Sequence, residues 1–88
     1  MNSNYPTAII TGASRGIGRA LALLLAKHNF QLSLIARNVG ELKDLAAEIT
    51  EMGHRPLYFA GDVSDAKFVQ MSVEKTEHTF GKIDFMIN

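Results

Sequence analysis

Apolar residues along the chain alternate between two spacings. Thr7-Ala8-Ile9-Ile10-Thr11 is a continuous, β-branched run stopped by Gly12, which predicts a short buried strand. Ile17, Ala20, Leu21, Leu24 and Leu25 then recur at helical spacing, and Ala22, Leu23 and Ala26 extend the apolar surface nearly all round. That pattern predicts a well-buried helix from near Gly16 to about His28. Gln31–Ala36 reads as a second strand. Asn38 and Glu41 stand at capping-box spacing before a second helix, whose core stripe is Leu42, Leu45, Ala46 and Ile49. Gly53 suits its end. Arg55–Ala60 is a third strand, with Pro56 tolerable near a strand start or at an edge. Ser64 is expected to cap a third helix with Asp65 in its first turn. Phe68, Val69, Met71, Val73 and Phe80 supply its apolar contacts, and Gly81 ends it. Ile83–Ile87 is a fourth strand, followed by Asn88.

The order β-α-β-α-β-α-β with short connections predicts an α/β fold with a parallel sheet. Right-handed crossovers place the first two helices on one face. If the chain then crosses back beside strand 1, the strand order becomes 3-2-1-4 and the third helix covers the other face. This is a doubly wound arrangement, with its switch point between strands 1 and 4. Strand 4 would then be a bare apolar edge, which invites association. The expectation is that residues 1–88 are the N-terminal portion of a larger single domain. No repeat, linker or low-complexity segment interrupts the pattern.

Composition narrows the function classes. The 88 residues are 47% hydrophobic and 20% charged, a globular balance. There is no Cys, so thiolate chemistry and disulfides are excluded within these residues. The longest apolar run, Ala20 to Ala26, is far short of the roughly 20 residues of a membrane span. Met1-Asn2-Ser3-Asn4-Tyr5-Pro6 lacks a basic start and an apolar stretch, so no secretory leader is expected and a cytoplasmic location is the default. His28, His54 and His78 show no metal-ligand spacing, and no metal is expected. Net charge is zero, which disfavours a nucleic-acid partner bound by bulk electrostatics. The balance is uneven, however. Residues 1–40 hold Arg15, Arg19, Lys27 and Arg37 and no acid, and all nine acids follow. A basic first half suits an anionic ligand, although Arg19 and Lys27 also read as solvated helix residues.

The sharpest signal is Thr11-Gly12-Ala13-Ser14-Arg15-Gly16-Ile17-Gly18, a T-G-x-x-x-G-x-G pattern between a strand and a helix. Gly12 permits a tight turn. Gly16 lacks the Cβ that would keep a pyrophosphate from the backbone. Gly18 lets helix and strand pack closely. The helix opening then offers unpaired N–H groups and a positive dipole to phosphates. No Gly-Lys-Ser/Thr follows, so this is not a P-loop.

On these residues the chain resembles the short-chain dehydrogenase/reductase family along essentially its whole length. The glycine spacing is similar to the branch that includes 3-oxoacyl-acyl-carrier-protein reductases. The extended branch of sugar-nucleotide epimerases usually spaces its glycines as T-G-x-x-G-x-x-G. The resemblance implies a Rossmann fold and a dinucleotide held at Gly12, Ser14, Arg15, Gly16, Ile17 and Gly18. It also implies a small-molecule carbonyl or alcohol substrate, no nucleic-acid or membrane partner, and a homo-oligomer at full length.

Three further positions bear on the coenzyme. An NAD site wants an acid near the end of strand 2 for the ribose 2′-OH. Ser33-Leu34-Ile35-Ala36-Arg37-Asn38 holds none there. Arg37 can instead pair with a 2′-phosphate, so NADP is the expected cofactor. The resemblance brings Arg15 to the same phosphate. The plainer alternative leaves Arg37 as a solvated loop residue. Asp62-Val63 follows strand 3. In the family an Asp there accepts from the adenine amino group and the next residue touches the ring. By its residues alone, Asp62 reads equally as a turn residue before Ser64. Asn88 matches the first Asn of the family's Asn-Asn-Ala-Gly motif, implying a contact on the adenosine side.

The family's catalytic Ser and Tyr-x-x-x-Lys are absent from these residues. Tyr5 is followed four residues later by Ile9, and Tyr58 by Asp62. The expected function is therefore NADP-dependent oxidoreduction of the short-chain type, with residues 1–88 supplying cofactor binding only and no catalytic group. A catalytically silent NADP-binding sensor or scaffold on the same fold is the alternative. A phosphate-binding module without a redox role is a third reading.

Overall fold

Strand and helix alternate through all the described residues, 4–88, of the computed structural model. The leader reading at Met1-Asn2-Ser3 falls on residues outside that range. The elements are β1 (Thr7–Thr11), α1 (Gly16–Lys27), β2 (Gln31–Ala36), α2 (Val39–Glu51), β3 (Leu57–Ala60), α3 (Ala66–Phe80) and β4 (Phe85–Ile87). The four strands form one parallel sheet in the order β3-β2-β1-β4, the expected doubly wound topology. Thr7 pairs with Gln31 and Thr11 with Ile35, so β1 and β2 run in step to the same edge. Among the described residues, no helix is long and apolar enough to cross a membrane.

The two sheet faces are built differently. Ala8, Ile10, Leu32, Leu34 and Ala36 point to the side of α1 and α2, where they meet Ala22, Ala26, Leu42, Leu45 and Ile49 in one dry core. Strand side chains alternate between faces, so the residues between them look the other way. There Ser33 Oγ lies 2.8 Å from Thr76 Oγ1 on α3, a buried hydroxyl pair. The face of α3 turned inward carries Ser72, Thr76 and Phe80. Met71, expected to pack, is 38% exposed, and Phe68, Val69 and Val73 are half-buried. Serine and threonine sit comfortably inside this helix because their hydroxyls can bond back one turn. Ser72 donates to the Phe68 carbonyl at 2.9 Å.

Helix α2 matches its sequence pattern closely. Leu42, Leu45 and Ile49 are completely buried, each a burial of roughly 1.5–3 kcal/mol. Asn38 Oδ1 caps it by accepting from the Glu41 amide at 2.9 Å. At its other end Gly53 N–H bonds the Thr50 carbonyl and His54 N–H the Ile49 carbonyl, a Schellman closure. Helix α1 ends the same way on Asn29, whose φ of 66° is left-handed. The Asn29 amide bonds Ala26 and the Phe30 amide bonds Leu25.

Helix α1 departs from expectation. It is not buried all round: Ile17 is 88% and Leu24 52% exposed. Its buried positions are Ala22 and Ala26, one and two turns after Gly18. The cause is closeness. A Cβ on Gly18 would fall on the Gly12 carbonyl, 2.9 Å from its carbon. A helix held that near the sheet admits only small residues along the line of approach. The long leucines are turned to the flanks.

Three boundaries also move. Arg55 and Pro56 precede β3, since a proline has no N–H for the ladder. Asp65, not Ser64, caps α3: its Oδ1 accepts from the Lys67 amide at 3.1 Å and the Phe68 amide at 3.3 Å. Strand β4 begins at Phe85 because Asp84 reaches β1 through its side chain as well as its backbone. The Thr7 amide donates to Asp84 Oδ2 at 2.8 Å, while the Asp84 amide donates to the Thr7 carbonyl. Phe85 and Met86 on β4 are half-exposed.

Candidate functional site

The carboxyl ends of β1, β2 and β3 open onto one cleft. Its corners are pinned by backbone bonds just past the ends of β1 and β3. The Ala13 amide bonds the Ile35 carbonyl at 3.2 Å, and the Gly61 amide bonds Ala36 at 2.9 Å. Gly61 also makes room for a ring: a Cβ there would meet Phe68 at 2.6 Å.

The loop after β1 is made by missing side chains. Gly12 and Gly16 have φ of 65° and 63°, a region that costs other residues strain. A Cβ on either would meet nothing within 4 Å. Gly16 therefore keeps its surroundings open, whereas Gly18 is a packing glycine. Arg15 is the N-cap of α1 in extended conformation, with no side-chain cap, and no acid lies in the first turn. The opening amides of α1 are thus left to a partner from outside the helix. Ile17 stands exposed above them.

The cleft holds about 290 Å³ and is lined by the predicted residues Gly12, Ser14, Arg15, Arg37 and Val63. Asp62 joins through Arg37, at 3.1 Å from its guanidinium. The Ser64 amide and hydroxyl donate to Asp62 Oδ1 at 2.9 and 2.8 Å. These bonds, then Arg37, hold the Asp62 carboxyl below the usual carboxylate range. Asn88 lies beside β1, where its Oδ1 accepts from Thr11 Oγ1 at 3.1 Å. A second cleft of about 230 Å³, lined by Gln31, His54 and Phe80 among others, lies at the amino ends of the strands, away from the glycine loop.

This loop and cleft are matched by a family profile described as short chain dehydrogenase, which covers residues 6–88. The chain belongs to the short-chain dehydrogenase family. It is 40% identical over 83 residues to the L-rhamnose 1-dehydrogenase (NAD(P)(+)) of Sphingomonas sp. strain SKA58, covering 93% of this chain and 33% of that protein. It is 38% identical over 79 residues to human 3-oxoacyl-[acyl-carrier-protein] reductase, covering 90% of this chain and 32% of that protein. The crystal structure of L-sorbose reductase from Gluconobacter frateurii, complexed with NADPH and L-sorbose, superposes with a TM-score of 0.88 at 36% identity. That match covers all of this chain and 35% of the reductase. The chain thus spans about a third of the length of these relatives.

The cleft also contains residues that sequence reading missed. Ala36, Asn38, Glu41 and Gly61 line it with the predicted set. Asn38 and Glu41 were legible only as helix-capping residues. Asn38 caps as expected. Glu41 instead sends its carboxylate across to the glycine loop, where Ser14 Oγ donates to Oε1 at 3.1 Å and Arg15 Nε stands 4.0 Å away. The basic residue Arg19 lies outside the cleft lining and pairs with Glu48 on α2.

Proposed function

We propose that residues 1–88 are the dinucleotide-binding part of a Rossmann domain in an NADP-dependent short-chain oxidoreductase. The site fits a dinucleotide. The open space at Gly16, the uncapped opening of α1 and the absence of first-turn acids suit a pyrophosphate. In this reading Gly12, Ser14, Gly16, Ile17 and Gly18 form or support the cradle. Asp62, Val63 and Asn88 orient the adenosine half. When bound, the coenzyme supplies hydride exchange with a carbonyl or alcohol carbon. These residues bind and orient it; proton transfer falls to residues beyond Asn88. Residence in the cytoplasm belongs to the same proposal.

The observation that carries NADP over NAD is Arg37. It directly follows β2, where an NAD site wants a carboxylate, and it shares the cleft with Arg15 and Ser14. A guanidinium there matches a 2′-phosphate in charge and shape. The NADPH-complexed sorbose reductase supports this reading, and the rhamnose dehydrogenase named for NAD(P)(+) is compatible with either coenzyme. The test is Arg37→Ala in the full-length protein. NADPH binding should weaken roughly ten- to a hundredfold, the range of a charged hydrogen bond, while NADH changes little. Equal losses for both coenzymes in titration would overturn the NADP assignment.

A further inference from the structure

We propose that Glu41 is a specificity-determining residue: a built-in anion in the Ser14–Arg15 corner that weakens 2′-phosphorylated coenzyme relative to the unphosphorylated form. The proposal rests on the NADP reading and deepens it.

Glu41 sits three residues after the Asn38 cap. A capping box would turn its side chain back onto the cap's own amide. Instead only its backbone N–H engages the cap, at 2.9 Å from Asn38 Oδ1. Its carboxylate crosses to the loop after β1 and accepts from Ser14 Oγ at 3.1 Å. Ser14 is 8% exposed, so that hydroxyl has little access to water. Arg15 Nε lies 4.0 Å from the same carboxylate oxygen. The cleft's other guanidinium, Arg37, is paired with Asp62. Each arginine of the cleft therefore faces a carboxylate of the protein, and the charge is balanced before any ligand arrives.

A 2′-phosphate brings about −1.5 to −2 charges into that balance. It must draw Arg15 away from Glu41 or lie beside a like charge. An unphosphorylated ribose brings no charge and meets neither cost. The two carboxylates differ in freedom. Asp62 is held by two bonds from Ser64. Glu41 is the looser one, with its Arg15 contact at the outer limit of an ion pair. Its charge is the adjustable element of coenzyme choice.

The test compares dissociation constants for NADPH and NADH in the full-length wild-type, Glu41→Gln, Glu41→Ala and Arg37→Ala proteins. Glu41→Gln removes the charge and keeps an acceptor for Ser14. It should tighten NADPH about three- to tenfold at low salt, with the gain shrinking at high salt and NADH unaffected. Glu41→Ala should do the same. NADPH affinity that is unchanged or weaker in Glu41→Gln, or an equal gain for NADH, overturns the proposal. So does a loss of both coenzymes confined to Glu41→Ala, which would make Glu41 a support for Ser14. Arg37→Ala separates the two levels. If it weakens NADPH selectively while Glu41→Gln has no effect, the Glu41 assignment alone fails. If it weakens both coenzymes equally, the NADP reading fails and takes the proposal with it.

Discussion

The two sides of the cleft work by opposite means. On the β1–α1 side, function is made by what is missing: three glycines, no cap side chain and no acid in the first turn of α1. On the β2–β3 side, it is made by what is present: Arg37 and Asp62, with Glu41 reaching across from α2. In the proposed reading the first side accepts any ligand with a pyrophosphate, because backbone amides read charge and shape rather than identity. In the same reading the second discriminates, because its charges respond to one phosphate more or less. Affinity and choice are thus separable, and substitutions on the two sides should fail differently.

The largest effect should come from Gly18→Ala. Its Cβ would land on the Gly12 carbonyl, and the obstacle is backbone, so the helix or the loop must shift. A loss of about 1–3 kcal/mol or more is expected, seen as a lower unfolding midpoint even without coenzyme. An unchanged midpoint would mean that α1 is not held by that contact. Gly16→Val comes next and sharpens the distinction between the two glycines. The protein itself has room there, but φ of 63° strains a β-branched residue by roughly 1–3 kcal/mol. Both NADPH and NADH should lose measurable binding, which isothermal titration can read. Retention of either coenzyme would place the pyrophosphate elsewhere.

The charged side should give smaller and more selective changes, with Arg37→Ala ahead of Glu41→Gln. The smallest is a pH effect at Asp62. Its carboxyl is lowered in the fold, chiefly by the Ser64 bonds. The sign follows: a depressed folded pKa adds stability that is complete above the ordinary carboxyl value of 3.8 and is lost as pH falls through the lower folded value. Asp62→Asn should therefore be slightly less stable than wild type at neutral pH. Urea midpoints of the two proteins should converge in acid below that value. A gap that widens in acid would contradict the ion-pair and hydrogen-bond assignment.

Much of the fold was legible because local rules agreed with one another. The stripe Leu42, Leu45, Ala46 and Ile49 with its Asn38 cap announced α2, and all four stripe residues are buried. The glycine motif announced its own strand-turn-helix setting. The misreadings share a cause. In α1 the apolar pattern ran nearly all round, so periodicity could not say which side met the sheet; closeness at Gly18 chose the small residues. At α3, Ser64 and Asp65 both satisfy capping chemistry, and the choice fell to Asp65 because Ser64 is engaged by Asp62. Glu41 was read locally, whereas its carboxylate bonds a residue 27 positions away.

The order of elements, the glycine motif and the lack of an acid at the end of β2 could all be read from the residues in line, because each depends on neighbours within a turn or a strand, and the alternation of strand and helix then implied the parallel sheet. Which flank of α1 is buried, how Arg37 and Asp62 meet and where Glu41 points required the folded chain. Those outcomes are set by contacts between segments far apart in sequence, where close packing and unpaired charge, rather than local preference, decide the arrangement.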